Sequence, residues 1–378
     1  MKFTKKKILF LLESRATYGY AKNVIDVISD FKNLNYSTIV TGGHLSDTND
    51  KSLRYIKKDN IKIDEKIRFE ILNKKYSWSF YIGKAISKFS VALDKIKPDI
   101  ALIFGDRVET LSFCMTCAYM NIPIAHVQAG DKSGHIDDSA RYAIAKLAHI
   151  HFASCEDSVQ RLIKLGEQKF RIFNTGAPQL DNIMRDSKIK NQENLNFFKK
   201  HKFILLIFHP IMSELKNLES YVDNIVRACL TTKMKIVTIF PNTDLGSDQI
   251  IKVIKKFKKN ITTYKNLERE KFLFLLRNCT FLVGNSSAGI LESPSFKKPT
   301  INVGNRQRGR PQSENIINSD YSKQSIINAI KILKSKKFQS SLAKVKNIYG
   351  DGKSGKKICK ILDKIVINKK WTDKEITY

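Results

Sequence analysis

The chain has 378 residues, enough for two domains, and its 42% hydrophobic content is that of an ordinary soluble globular protein. Its formal net charge is +31, from 67 Lys+Arg against 36 Asp+Glu, yet the lysines are spread over the whole length with no repeated basic-aromatic pattern. The charge therefore reads as a lysine-rich solvated surface, of modest help to an anionic substrate, and neither nucleic acid nor a membrane is expected as a partner. The six cysteines (Cys114, Cys117, Cys155, Cys229, Cys279 and Cys359) lie mostly in apolar contexts and read as reduced core residues of a cytoplasmic protein. No second Cys or His pair at ligand spacing accompanies Cys114-x-x-Cys117, so no metal site is expected. The apolar run at residues 8–12 meets Glu13 and Arg15 at once, too soon for a signal segment or a membrane span.

In chain order, strands alternate with helices. Residues 7–12 read as a strand, 14–19 as a loop suited to an anion, and 20–31 as a helix. A strand at 36–40, a helix at 47–57, a short strand at 61–67 and an amphipathic segment at 76–96 follow. Residues 100–104 form a strand ending in Gly105-Asp106-Arg107, 108–120 a helix, and 122–127 a strand that stops at Gln128-Ala129-Gly130-Asp131. A helix at 140–147 is capped by Asp138 or Ser139, and a strand at 149–154, a helix to 165 and a strand at 171–175 close this half.

The charged stretch 185–194 has little apolar periodicity and places the linker, giving domains 1–185 and 186–378 with the last helix packing back on the first domain. The second half has strands at 203–208, 235–240, 261–264, 280–283 and 299–303. Between and after them come helices at 221–231, 249–258, 268–277, 290–295, 321–334 and 355–367. Such alternation predicts an α/β protein of two Rossmann-like, doubly wound parallel-sheet domains.

A right-handed crossover makes the strands at 100–104 and 122–127 parallel, so both polar clusters lie at carboxyl ends, where open sheets hold ligands. Asp106, Asp131, Asp137, Asp138, His126 and Arg107 then converge on one crevice. His126 either holds the 105–107 turn or touches substrate. In the second half, Gly284-Asn285-Ser286-Ser287-Ala288-Gly289 offers backbone N–H groups and two hydroxyls to a diphosphate. Glu292 either accepts from ribose hydroxyls or favours the helix start, and Arg306, Arg308 and Arg310 sit where an acidic group is gripped. His209 ends its strand and is placed to donate to a sugar or leaving group, whereas His149 and His151 read as structural.

Gly105-Asp106-Arg107, Pro123-Ile124-Ala125-His126, Gly130-Asp131-Lys132-Ser133-Gly134 and Ile136-Asp137-Asp138-Ser139-Ala140-Arg141 closely resemble the UDP-N-acetylglucosamine 2-epimerases. The stretch looks most like their hydrolysing branch, which feeds sialic-acid and legionaminic-acid synthesis. Ser14-Arg15-Ala16, Tyr18-Gly19, His209-Pro210, Gly284-Asn285-Ser286-Ser287, Arg306-Gln307 and Gly309-Arg310 match further family motifs in order.

The resemblance implies a GT-B fold with the active site in the interdomain cleft, a UDP-sugar substrate, no metal or NAD, and a homodimer. By it Arg15, Ser286, Ser287, Glu292 and Arg306 hold the UDP portion and Asp106 and Asp137 are catalytic carboxylates. His209 stands beside the diphosphate or sugar, with Arg107 in support. The implied reaction takes UDP-GlcNAc and water to ManNAc and UDP, by anti-elimination and hydration. UDP-N,N′-diacetylbacillosamine is the alternative substrate, and a non-hydrolysing epimerase, a GT-B glycosyltransferase or a non-catalytic nucleotide-sugar-binding protein are the rival readings.

Two departures stand out. Gln128 occupies a place where the family has a catalytic Glu, so either Asp131 substitutes or Gln128 only orients substrate while Asp106 and Asp137 transfer protons. In the first loop, Glu13 stands where Gly is usual and Thr17 where an acidic residue is usual.

Overall fold

The computed structural model describes residues 5–45, 53–68, 78–132, 137–188, 193–241, 245–265 and 267–377, without the side chains of residues 16, 78, 137, 185, 193, 194 and 196. The chain divides into two units, Met1–Asp181 with Tyr349–Tyr378, and Asn182–Ile348.

In the first unit, β1 (Lys6–Leu12) runs apolar from Ile8 onward because both its faces are covered. Ile8, Phe10 and Leu12 pack with the helices Arg15–Ile28 and Ser354–Lys364, whereas Leu9 and Leu11 pack with Trp78–Ile96 and Val108–Tyr119. The other strands are β2 (Leu34–Thr41), β3 (Glu65–Ile67), β4 (Ile100–Phe104), β5 (Ile124–Ala129), β6 (Ile150–Ala153) and β7 (Ile172–Asn174). All pairs are parallel and the order is β3-β2-β1-β4-β5-β6-β7.

The second unit carries β8 (Phe203–Ile207), β9 (Lys235–Ile239), β10 (Ile261–Tyr264), β11 (Phe281–Gly284), β12 (Thr300–Val303) and β13 (Ile316–Ser319). They form a parallel sheet of order β10-β9-β8-β11-β12-β13. Strand order reverses between β1 and β4 in one unit and between β8 and β11 in the other, so each unit has one switch point where strand ends diverge to admit a ligand. The predicted class of two doubly wound parallel sheets is the one observed.

Local differences have local causes. The first helix begins at Arg15 rather than 20, because Ser14 and Thr17 form a reciprocal capping box with Thr17 Oγ1 accepting from the Ser14 N–H at 3.2 Å. The residues expected to form an anion-binding loop are thus the helix's first turn. β13 and the short helix Lys336–Leu342 were not anticipated, being a four-residue edge strand and a seven-residue helix with one buried side chain. The helix expected at 290–295 is Ala288–Leu291, followed by a 3₁₀ turn at Ser293–Phe296.

The break between units, at 181/182, lies ahead of the charged stretch 185–194. Ile183 is already buried in the second unit, and Ser187 accepts from Arg277 at 3.1 Å there. The segment from Tyr349 onward completes the first unit: Asp181 accepts from the N–H groups of Ser354 and Gly355 at 2.8 and 2.6 Å, capping the helix that covers β1. Among the described residues no helix is long and apolar enough to cross a membrane. All six cysteines are buried free thiols.

Candidate active site

The first unit's switch point is built around the turn after β4. Gly105 takes a positive φ of +71°, and its carbonyl accepts from the ring of His126 on β5 at 2.8 Å. His126 is fully buried, and burial together with the Arg141 charge lowers its pKa to about 3, so the ring is neutral with the proton on Nε2. Of the two roles open to His126, holding the turn is the one the geometry supports.

Asp106 follows in an ion pair with Arg141, whose side chains are 16% and 7% exposed. Arg141 also donates to the Gln128 carbonyl at 3.2 Å, so one guanidinium from the helix Asp137–Leu147 ties together the ends of β4 and β5. The sequence reading quoted Arg141 within a motif and gave it no role. Its signal is its place one helical turn inside that helix, facing back over the strand ends.

Gln128 is 8% exposed and adopts φ +61°, a left-handed conformation that costs a side-chain-bearing residue on the order of 1 kcal/mol. The amide Nε2 reaches Gln179 Oε1 at 3.4 Å. Asp131 is committed elsewhere: its Oδ1 accepts from the hydroxyls of Ser154 and of Ser158, the latter at 2.7 Å. Arg107 turns to Glu109 at 3.3 Å. Arg15 is exposed on the first helical turn, with its guanidinium 5.3 Å from the Tyr55 ring centre. Asp137 begins its helix, but its side chain, like residues 133–136, lies outside the described residues.

In the second unit, Asn285 is the organising residue. It is fully buried, accepts from the His209 N–H at 2.7 Å and donates to the His209 carbonyl at 2.8 Å, joining the end of β8 to the end of β11. Its own carbonyl accepts from Gln307 at 2.9 Å and Arg306 at 3.2 Å. This closeness demands glycine at 284, where φ is +135° and a Cβ would sit 2.0 Å from the Ile207 carbonyl oxygen.

Burial and the Arg306 charge lower the His209 pKa to about 4, leaving a neutral ring. Ser286 accepts from the Ala288 N–H at 3.3 Å and Ser287 stands at the start of the next helix. Glu292, 7% exposed, pairs with Arg269 at 2.9 Å. His209, Arg306 and the serine loop thus meet around Asn285, while Glu292 is fixed by Arg269. Asn285 was quoted only within the serine-loop motif and given no role, and Arg269 was not singled out, since a side-chain amide that bridges two strand ends leaves no local pattern. Among the described residues no cluster of His, Cys, Asp and Glu has the makings of a metal site.

A family model described as UDP-N-acetylglucosamine 2-epimerase matches residues 27–363. The chain belongs to that family. It is 32% identical, over 96% of its length and 97% of the relative's, to the hydrolysing UDP-N,N′-diacetylbacillosamine 2-epimerase of Legionella pneumophila. Identity is 34% to the hydrolysing GDP/UDP-N,N′-diacetylbacillosamine 2-epimerase of Campylobacter jejuni, covering 89% of this chain and 90% of the relative. With the UDP-N-acetylglucosamine 2-epimerase of Neisseria meningitidis it is 31%, covering 86% of each. Among solved structures, the UDP-GlcNAc 2-epimerase of Neisseria meningitidis bound to UDP-GlcNAc superposes with a TM-score of 0.81 at 18% identity, covering 94% of this chain and 99% of that one. This 2-epimerase family member therefore has the GT-B type of fold that its motifs implied.

Proposed function

We propose that this family member is a hydrolysing UDP-N-acetylglucosamine 2-epimerase, releasing ManNAc and UDP, and that it serves nonulosonic (sialic-type) acid synthesis from the cytoplasm. The observation that carries the reading is the Asp106 carboxylate at the carboxyl end of β4, held by Arg141 beside the switch point.

The proton on C2 of the sugar is barely acidic, so it leaves only to a positioned base as the C1–O bond to UDP breaks. Asp106, with Asp137, supplies base and acid for elimination and for hydration of the resulting 2-acetamidoglycal. Gln128, an amide, orients and does not transfer protons, and Asp131 supports the turn through its serines. Arg107 supports the same site through its pair with Glu109. Arg15, Ser286, Ser287 and Arg306 hold the departing diphosphate, while Glu292, braced by Arg269, addresses the ribose. The neutral His209 ring donates its N–H to the leaving group as charge develops there. The active form we infer is a homodimer.

A second reading, UDP-N,N′-diacetylbacillosamine as substrate, is favoured by the relatives at 32% and 34% identity, both bearing that name. The test mixes the protein with each nucleotide sugar and follows UDP release and the free sugar by NMR. Free ManNAc from UDP-GlcNAc supports the first reading, and release from the diacetylated substrate alone moves the assignment to the second. UDP-ManNAc without free sugar makes the protein a non-hydrolysing epimerase.

A further inference from the structure

The most unusual side chain in the first unit takes no part in the arrangement described so far. Glu13 is the first residue beyond β1 and has no exposed surface, and neither carboxyl oxygen has a well-formed hydrogen bond, although the Thr17 hydroxyl is near enough to favour its charged form. A buried, unbridged carboxylate is expensive, and such groups escape the cost by keeping a proton.

Its position is fixed by strand register. Phe10 pairs with Leu102, and two residues further Leu12 lies beside Phe104, which brings Glu13 level with Gly105. Phe104 in turn pairs with Val127, which puts Gln128 on the other flank of Gly105. Glu13 is thus one strand from the Asp106 turn, at the switch point. Continuing the alternation of Leu9 and Leu11, its side chain lies on the layer of the helix Val108–Tyr119.

Two charged groups face it, the Glu109 carboxylate on the first turn of that helix and the Arg107 guanidinium that pairs with Glu109. The helix Arg15–Ile28 contributes Thr17, whose hydroxyl donates to the Ser14 carbonyl at 2.9 Å. The end of β2 contributes Gly42 and Gly43, the latter donating its N–H to the Glu13 carbonyl at 2.9 Å. The same turn carries His44, edge-on to Tyr18. A Cβ on Gly42 would meet both the Glu13 carbonyl oxygen, at 2.6 Å, and Glu109 Oε1, at 2.8 Å, so this wall is closed tightly around the two glutamates.

We propose that Glu13 is a positioning residue that stays a neutral acid, so that Arg107 remains with Glu109 and the Asp106 turn keeps its shape. When Glu13 gives its proton to solvent, a second buried anion opposes Glu109 and competes for the one guanidinium. Arg107 is then drawn off, and the turn carrying Asp106 loses its brace. Burial first, and the Glu109 charge after it, raise the Glu13 pKa to about 8, so the transition falls just above neutrality. The role rests on the functional reading above; the protonation does not.

The test compares the wild type with Glu13→Gln, which mimics the neutral acid, and with Glu13→Met, which removes the polar atoms. In the wild type the folded state keeps a proton that the unfolded chain loses at the ordinary 4.5, so Glu13 contributes a decline in stability as pH rises from 4.5 to 8. It is read as the difference between wild-type and variant urea midpoints, because the buried histidines act in the opposite direction below 6.5. In both variants that part of the decline is absent.

For turnover, a required acid of pKa about 8 predicts a fall in kcat of about tenfold between pH 7 and pH 9 with KM little changed. Glu13→Gln should cut this to less than about twofold. Superimposable stability profiles in all three proteins overturn the protonation, and equal alkaline limbs in the wild type and Glu13→Gln overturn the positioning role. An inactive wild type overturns the functional reading and the positioning role together, while the urea series still decides whether Glu13 holds the proton.

Discussion

Removing either partner of the Asp106–Arg141 pair separates the structural share of this contact from its chemical share. Arg141 is 7% exposed, so truncating Asp106 to Ala leaves a guanidinium with little water to replace its partner. Breaking such a buried pair costs about 3–5 kcal/mol, and the 16% exposure of Asp106 argues for the lower end, about 3 kcal/mol. Asp106→Asn keeps an oxygen for Arg141 and loses only the charge, at about 1–2 kcal/mol.

Urea denaturation of Asp106→Ala, Arg141→Ala and the double variant should therefore show a coupling of about 1–3 kcal/mol, the double variant losing less than the sum. Asp106→Asn should unfold only slightly early yet lose about 10²–10⁴-fold in kcat, because an amide cannot accept the C2 proton. If Asp106→Asn turns over within threefold of wild type, Asp106 is not the base. If the single substitutions each cost under about 0.5 kcal/mol, the pair does not brace the strand ends.

Asn285→Asp keeps the acceptor for the His209 N–H and removes the donor to its carbonyl, so a loss of about 1–3 kcal/mol is expected, with kcat falling more than KM rises. Equal stability with unchanged kinetics would contradict the clamp. The buried histidines set the acid limit: His126 titrates at about 3, and His149 and His209 at about 4, all lowered first by burial. Between those values and the ordinary 6.5 the unfolded chain binds protons that the folded chain does not, so this contribution to stability is full above 6.5 and drains away as pH falls toward 4. In Glu13→Gln, which lacks the opposing contribution of Glu13, a urea midpoint that holds steady from pH 7 to pH 5 would refute it, and NMR of the His209 ring should show a neutral imidazole at pH 6.

What the sequence made legible follows from where the constraints lie. β1 and β4 are covered on both faces, so Ile8–Leu12 and Ile100–Phe104 read as unbroken apolar runs and announce a parallel sheet. The turns at their carboxyl ends then mark the switch point before any contact is known. β13 escaped notice because an edge strand ending in Asn318-Ser319 carries little hydrophobic pattern. Asp106 was legible from its place after a strand, but its pairing with Arg141, 35 residues on, is a tertiary fact. Asp131 shows the same limit, since its serines come from the end of β6 and the helix beyond, brought near by a sheet neighbour whose register shifts between Val127 and Ala129.

The first unit begins with β1 and ends with the chain's last helices, and the whole second unit is encoded between its two parts. Arg171, fully buried, makes the point in one residue: it donates to the carbonyls of Lys370, Trp371 and Asp373 at 2.9, 2.7 and 2.6 Å, two hundred positions downstream. On the ribosome the sheet from β1 to β7 therefore emerges early but waits with the layer of Ile8, Phe10 and Leu12 lacking its Ile358, Cys359 and Leu362 cover. The continuous second unit has all its strands in hand before that lid is made. A chain cut after residue 348 would keep its later unit complete and leave its earlier unit offering an apolar face to any neighbour.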